Sequence, residues 1–173
     1  MARQTVIAAI LCDGERRIAD GLSPRKSVPE LDELSRQLLQ LLAANPQRPA
    51  SELARALGVS APTARERIRR LEQMGAIRGV RLDIDPAALG LPIAAWVRLR
   101  PTAGQMSRIV QLAQDCAEVS ECHRISGEDC FLLKVHVRAL NDLESVLDRF
   151  LVYGQTTSSL IVSTPVPPRP VLP

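Results

Sequence analysis

Thr63, Arg65, Glu66, Arg69 and Arg70 fall at spacings that place them on one side of a helix, with Ser60 just ahead of them. Guanidinium, hydroxyl and carboxylate groups on one helical face can grip phosphates. They can also meet the donors and acceptors that base pairs present in a major groove. The charge around them is lopsided. From Arg48 to Arg81 there are eight arginines (48, 55, 65, 67, 69, 70, 78 and 81) against three acids, Glu52, Glu66 and Glu72. From Leu91 to Thr164 seven basic residues meet eight acidic ones. One end of the chain is therefore suited to a polyanion, and the helical spacing makes double-stranded DNA its best match. The plain alternative is an αα-hairpin whose arginines keep a helix face wet. Ala54 and Gly58, small where two helices must approach, favour the sharper helix-turn-helix.

A second set of residues could hold a small molecule. Ser126-Gly127-Glu128-Asp129 reads as a hairpin loop, and Gln155-Thr156-Thr157 opens a later strand. Gly127 allows a ligand to approach the backbone, whose N–H groups can hold a carboxylate. Glu128 or Asp129 could balance an ammonium group, with Gln155, Thr156 and Thr157 orienting it. The competing reading makes the glycine a simple turn residue and the threonines ordinary strand formers. Cys116, Cys122, His123, Cys130 and His136 invite a metal, but their spacings fit no closed tetrahedral set, and strand alternation sends Cys122 and His123 to opposite faces. Buried or structural cysteine is the expectation, with no metal and no cofactor.

These residues need a scaffold, and the chain supplies its signals in order. Residues 1–29 form an extension broken by Asp13-Gly14, Gly21, Ser23-Pro24 and Pro29, read as a loosely held arm in which Val6–Leu11 could add one short element. A helix-turn-helix domain with a hinge strand is expected over 30–84. In it Leu31, Leu34, Leu38, Leu41 and Leu42 form the stripe of a support helix, with Asp32 as its cap and Asn45-Pro46 as its stop. Leu53, Ala54 and Leu57 line the next helix, and Gly58 ends it in the left-handed conformation that costs glycine least. Ser60 caps the reading helix, Pro62 sits harmlessly in its first turn, and Ala64, Ile68 and Leu71 turn inward. Ala76–Ile84 alternates and predicts a wing or hinge strand, with Arg78 and Arg81 near phosphate. Residues 85–92, with two prolines and a glycine, read as a linker.

From residue 93 to 164 the periods predict a strand (Ile93–Arg100), a helix (Met106–Ala117), two strands around Gly127-Glu128-Asp129 (Val119–Ser126 and Phe131–Val137), a helix (Leu143–Leu151) and a last strand (Gln155–Thr164). The order is βαββαβ, a ferredoxin-like unit, so the fold class is α+β. Its helices cover one face of the sheet. The other face carries Trp96 or its alternating neighbours, too apolar to leave wet, and so calls for a partner sheet and hence a homodimer. Residues 165–173 form a proline-rich tail.

Composition narrows the field further. In 173 residues, 46% are hydrophobic but only 2% aromatic, and the net charge is +3. Scarce aromatics argue against single-stranded nucleic acid, whose bases stack on such side chains. No run reaches the ~20 apolar residues of a membrane span. Val6–Cys12 is at the short limit for a signal-peptide core and no convincing cleavage site follows it, and four cysteines without a CxxC pair suit a reducing compartment. A cytoplasmic protein is expected.

The motifs together resemble a known family. Leu31-Asp-Glu-Leu34, Glu52-Leu-Ala54, Leu57-Gly-Val-Ser60, Arg67-Ile-x-Arg-Leu-Glu72, Gly75-Ala-Ile77 and Leu89-Gly-Leu91 are similar to the Lrp/AsnC (feast/famine) transcription regulators. So is Ser126-Gly-Glu-x-x-Phe-Leu-Leu-Lys-Val135 with Thr156-Thr-Ser-Ser159, and the resemblance spans about residues 31–164. It implies an N-terminal DNA-binding domain, a hinge, and a ferredoxin-like domain that pairs subunits into dimers and joins dimers into octamers. It also implies a free amino acid as effector, bound in that second layer. Many members carry an aspartate three residues after the hairpin glycine, where it meets the ligand's amino group. Here that position is Cys130, and the acids are Glu128 and Asp129. Siroheme decarboxylases resemble the same two-domain build, and a stand-alone amino-acid sensor without DNA activity is a further alternative. The single Trp and single Tyr, with no His/Tyr/Arg cluster in the later strands, speak against the first, and the arginine helix speaks against the second. A non-enzymatic DNA-binding regulator is the expected function.

Overall fold

Several helix boundaries of the first unit are set by local capping chemistry. In a computed structural model, which describes residues 31–172, the first helix, α1, runs Glu33–Ala44. The Asp32 carboxylate caps it by accepting from the Ser35 N–H at 2.9 Å. The second helix, α2, is Ala50–Leu57. Gly58 follows it at φ 66°, and the Val59 N–H turns back onto the Ala54 carbonyl at 3.0 Å. A side chain at that φ would be strained, so glycine is what permits the tight corner. Ser60 then caps α3, Ala61–Gln73, by accepting from the Thr63 N–H. Leu38, Leu53 and Leu71, one from each helix, are fully or almost fully buried and form the centre of this small core. Ala54 and Ala64 are buried beside them, where larger side chains would hold the helices apart. Residues 1–29, including Val6–Leu11 and Cys12, lie outside the described residues.

The chain divides after Leu82 into a second unit, Asp83–Pro167. Residues 76–85 adopt no regular structure, so the strand expected over Ala76–Ile84 is absent among the described residues. The alternation is real, but a strand exists only as part of a ladder, and no described segment pairs with this one. Val80, Leu82 and Ile84 are left exposed. The linker expected over 85–92 is more ordered than its prolines suggest. Pro86–Leu89 makes a 3₁₀ turn, which the Asp85 carboxylate caps by accepting from the Ala87 N–H at 2.9 Å.

The sheet has the order β2-β3-β1-β4 and is antiparallel throughout. Its strands are β1 (Ile93–Pro101), β2 (Val119–Arg124), β3 (Phe131–Val137) and β4 (Gly154–Leu160). The helices α4 (Met106–Asp115) and α5 (Leu140–Leu151) supply the crossovers, completing the ferredoxin-like βαββαβ arrangement. Ala95, Val97 and Leu99 of β1 and alternate residues of β3 from Phe131 to Val137 pack against Ile109, Val146 and Phe150 of the helices. Three details depart from the sequence periods. Cys116, just past α4, fills the core position, while Ala117 is exposed. Leu151 is exposed at the end of α5. The last strand stops at Leu160, short of Thr164, after which only the Ile161 N–H still bonds to β1, at the Ala94 carbonyl.

Candidate DNA-reading helix and effector corner

The face of α3 sorts its arginines into two kinds. Arg67 points toward α1, where its guanidinium meets the Asp32 carboxylate at 2.6 Å and the Ser35 hydroxyl at 3.3 Å. Hydrogen bonds to Asp32 from Ser35, the larger contributor, and then from Arg67 hold its carboxyl down at about 2. Arg67 thus fastens the third helix to the first. Thr63, Arg65, Glu66, Arg69 and Arg70 are all exposed. Arg69 pairs with Glu66 at 3.2 Å, one turn along the helix. Arg65 and Arg70 form no ion pair among the described residues. The hydroxyls of Ser60 and Thr63 lie 2.8 Å apart, so Thr63 is tied to the cap at the start of the helix. Arg78 and Arg81 are exposed beyond the helix. An exposed cationic helix anchored by an opposing ion pair offers phosphate contacts without disturbing its own packing.

In the second unit the sheet register brings the hairpin loop and β4 to one end. Arg100 stands opposite Gln155, Arg98 opposite Thr157, and Leu99 opposite both Phe131 and Thr156. Directly paired residues share a face. Gln155 and Thr157 therefore lie with Arg98 and Arg100 on the face away from the helices, while Thr156 lies with buried Leu99 on the helix side. The loop closes through the Ile125 N–H and the Cys130 carbonyl, 3.0 Å apart. Its acids reach back to β1. Glu128 pairs with Arg100, and Asp129 lies 3.6 Å from Arg100 Nε and 3.9 Å from Arg98 Nε. Gly127 has a φ of 117° and open space where a side chain would stand. Ser126 is exposed beside it.

The cysteines and histidines are dispersed. Cys116 is buried beside Glu118 and Arg149, and burial pushes its thiol up. Cys122 stands opposite Leu133 and His123 opposite Leu132, on opposite faces of the sheet. His123 bonds to Glu121, which that contact holds below the usual carboxylate range. Cys130 sits half-buried at the loop, and His136 lies at the other end of the open face, opposite Ala94, where burial lowers its pKa.

Comparison with known proteins bears on both units. Residues 31–72 match the AsnC-type helix-turn-helix domain, and residues 94–171 match the Lrp/AsnC ligand binding domain. The transcriptional regulator AldR of Mycobacterium tuberculosis is 37% identical over 133 residues, covering 75% of this chain and 73% of its own. The chain belongs to the Lrp/AsnC family. Among solved structures, Bacillus subtilis LrpC superposes with a TM-score of 0.74 at 28% identity, covering 78% of this chain and 96% of that one. A feast or famine regulatory protein from M. tuberculosis, complexed with L-methionine, gives 0.77 at 31% identity, covering 83% and 100%. Like its relatives, this Lrp/AsnC protein is a helix-turn-helix transcriptional regulator with a ligand-binding domain.

Two features of this Lrp/AsnC chain escape the sequence patterns. In the sequence Arg98 and Arg100 only alternate with the apolar residues of a strand, since the link from Arg100 to a loop 28 residues away depends on strand order. Arg67 looks like one more cation on a basic helix. Its signal is the Asp32 cap on α1, a partner 35 residues distant.

Proposed function

We propose that this protein binds double-stranded DNA with sequence preference through α3 and that a free amino acid, held at the loop corner of the second unit, modulates that binding. The observation that carries the DNA half is the sorting of arginines on α3: Arg67 serves the fold, and Arg65, Arg69 and Arg70 face solvent with Thr63 and Glu66. Thr63, Arg65 and Glu66 lie in the first turns, where a reading helix meets bases, and Arg69 and Arg70 follow toward the backbone. Support for the amino-acid half comes from the mixed charges around Gly127 and from the relative solved with L-methionine. The protein acts by binding rather than catalysis, in the cytoplasm where its DNA lies. No helix among the described residues is long and apolar enough to cross a membrane.

The working form is a homodimer, and dimers can join further into an octamer. Two surfaces support pairing: the open sheet face around Trp96, and the alternating, exposed Val80, Leu82 and Ile84, which have the pattern of a strand awaiting a ladder partner. Two reading helices then meet successive half-sites one helical turn apart. The test is a titration of labelled duplexes from the DNA upstream of the chain's own gene, against scrambled duplexes, over a range of salt. A preferred duplex with steep salt dependence, altered by one of the twenty amino acids, is expected. Equal affinity for every duplex would overturn the sequence preference, and indifference to all twenty would overturn the effector.

A further inference from the structure

The loop corner holds more charge than a turn requires. Arg98 and Arg100 leave β1 on the open face, and Glu128 and Asp129 fold back to meet them. Two cations and two anions form a balanced set. Its members are too exposed to matter much to stability, because solvent-facing ion pairs contribute about 0–1 kcal/mol. All of these pairs join β1 to the loop, and Glu128 of the Arg100–Glu128 pair is the most exposed carboxylate of the set, at 80%. An α-amino acid is itself one carboxylate and one ammonium group, the mirror of that pair.

Resting on the effector reading above, we infer that Arg100 is the residue that binds the effector's carboxylate, and that the effector enters by exchanging partners with Glu128. The carboxylate takes the guanidinium of Arg100, whose planar fork matches two oxygens at once. The released Glu128 takes the ammonium group, and Asp129 stays against Arg98 and Arg100. Every charge is paired before and after, so no desolvated group is stranded. Gln155, opposite Arg100, and Thr157, opposite Arg98, flank the place where the side chain would lie. The exchange also gives the effector a mechanical consequence. In the free protein the loop is tied to β1 directly, and in the bound form it is tied through the ligand.

This assigns a ligand class with separable requirements. A 2-oxo acid keeps the carboxylate but offers Glu128 no ammonium, and an amino-acid amide keeps the ammonium but offers Arg100 no anion. The experiment measures binding by calorimetry to the full chain, using the twenty L-amino acids, their amides and their 2-oxo acids. Wild-type protein is expected to bind one or a few amino acids, with the amide and the 2-oxo acid each weaker by about tenfold or more. Arg100→Gln should weaken the amino acid by about ten- to a hundredfold, the range of a lost charge-assisted contact. Glu128→Gln should weaken the amino acid but strengthen the 2-oxo acid, because the internal competitor for Arg100 is gone. Arg100→Lys keeps the charge without the fork and should fall between. It also serves if far-UV circular dichroism shows Arg100→Gln to be unfolded. Undiminished amino-acid binding by a folded Arg100→Gln, or by Arg100→Lys in its place, overturns the inference while leaving an effector site elsewhere. Failure of the wild-type protein to bind any amino acid overturns the effector reading and this inference together.

Discussion

Arg67, Arg69 and Arg70 sit within one turn of α3 and answer to different physics. For Arg69 and Arg70, replacement by alanine should weaken binding to every duplex alike. Each lost phosphate contact should remove about one unit from the slope of log affinity against log salt. Replacing Thr63, Arg65 or Glu66 should instead change which bases are preferred, by about 1–3 kcal/mol per lost contact. Glu66 pairs with Arg69, so Glu66→Ala should also free a cation and tighten nonspecific binding. Competition titrations at several salt concentrations separate the two classes, and identical behaviour would mean that the helix lies differently in the groove. Arg67 belongs to the fold, and its partner makes this visible with pH. Hydrogen bonds from Ser35 and then Arg67 hold Asp32 at about 2, below its ordinary 3.8. A depressed carboxyl adds stability that is fully present above the unfolded pKa and is lost as pH falls through the folded one. Asp32→Asn keeps a competent cap but removes the charge. It should lower the urea midpoint slightly at pH 7, and its deficit should close between about pH 4 and pH 2. A deficit that persists unchanged at pH 2 would show that the ion pair is not its source.

Elements in this chain are legible to the extent that their causes are local. The three helices of the first unit can be placed from sequence because Asp32, Gly58 and Ser60 act on neighbours within a few residues. Most strands of the second unit can be placed too, since Ala95, Val97 and Leu99 alternate cleanly with Trp96, Arg98 and Arg100. Ala76–Ile84 shows the same alternation and forms no strand, because pairing is a property of two segments and sequence displays only one. The acids of the loop were equally visible, but the arginines they meet were not. Only the order β2-β3-β1-β4 lays the hairpin against the end of β1. Gly154 makes the same point from the opposite side. It reads as an unremarkable residue before a strand, yet it is buried opposite Pro101, and a Cβ there would collide with the Arg100 carbonyl. The neighbour is backbone of β1, an inner strand of the sheet, and cannot swing aside. Gly154→Ala should therefore cost about 2–4 kcal/mol through strain in the β1–β4 pairing, measured as a shift in the urea midpoint of the second unit. A change under about 0.5 kcal/mol would show that β4 can move without penalty.

At the scale of the molecule the question is what covers the open face of the sheet. Trp96 lies half-buried on that face, opposite Lys134 and Ser159, with the Lys134 ammonium 5.8 Å from its ring centroid. Around it the face carries Glu121, which binds both Lys134 and His123, so its surface is a small apolar centre in a charged frame. That composition fits the interior of a subunit contact, where an aromatic anchor sits within a polar rim. It also decides what a substitution should do. The core of the unit lies on the other side of the sheet, among Val97, Leu99, Phe131 and Phe150, and Trp96 contributes nothing to it. Trp96→Asp should leave that core intact and place a carboxylate within reach of Lys134. Folding should survive, with far-UV circular dichroism unchanged and the urea midpoint shifted by less than about 1 kcal/mol. Association should not survive, because a buried charge at the centre of a two-fold contact meets its own copy across the axis. Sedimentation velocity should show the variant as a folded monomer and the parent, on the proposed pairing, as a dimer or larger. Binding to a duplex with two half-sites should fall to that of one. A variant that sediments as the parent does would remove this face from the subunit contact and leave the exposed Val80, Leu82 and Ile84 to account for pairing. A variant that unfolds would instead show that Trp96 supports the sheet from its outer side.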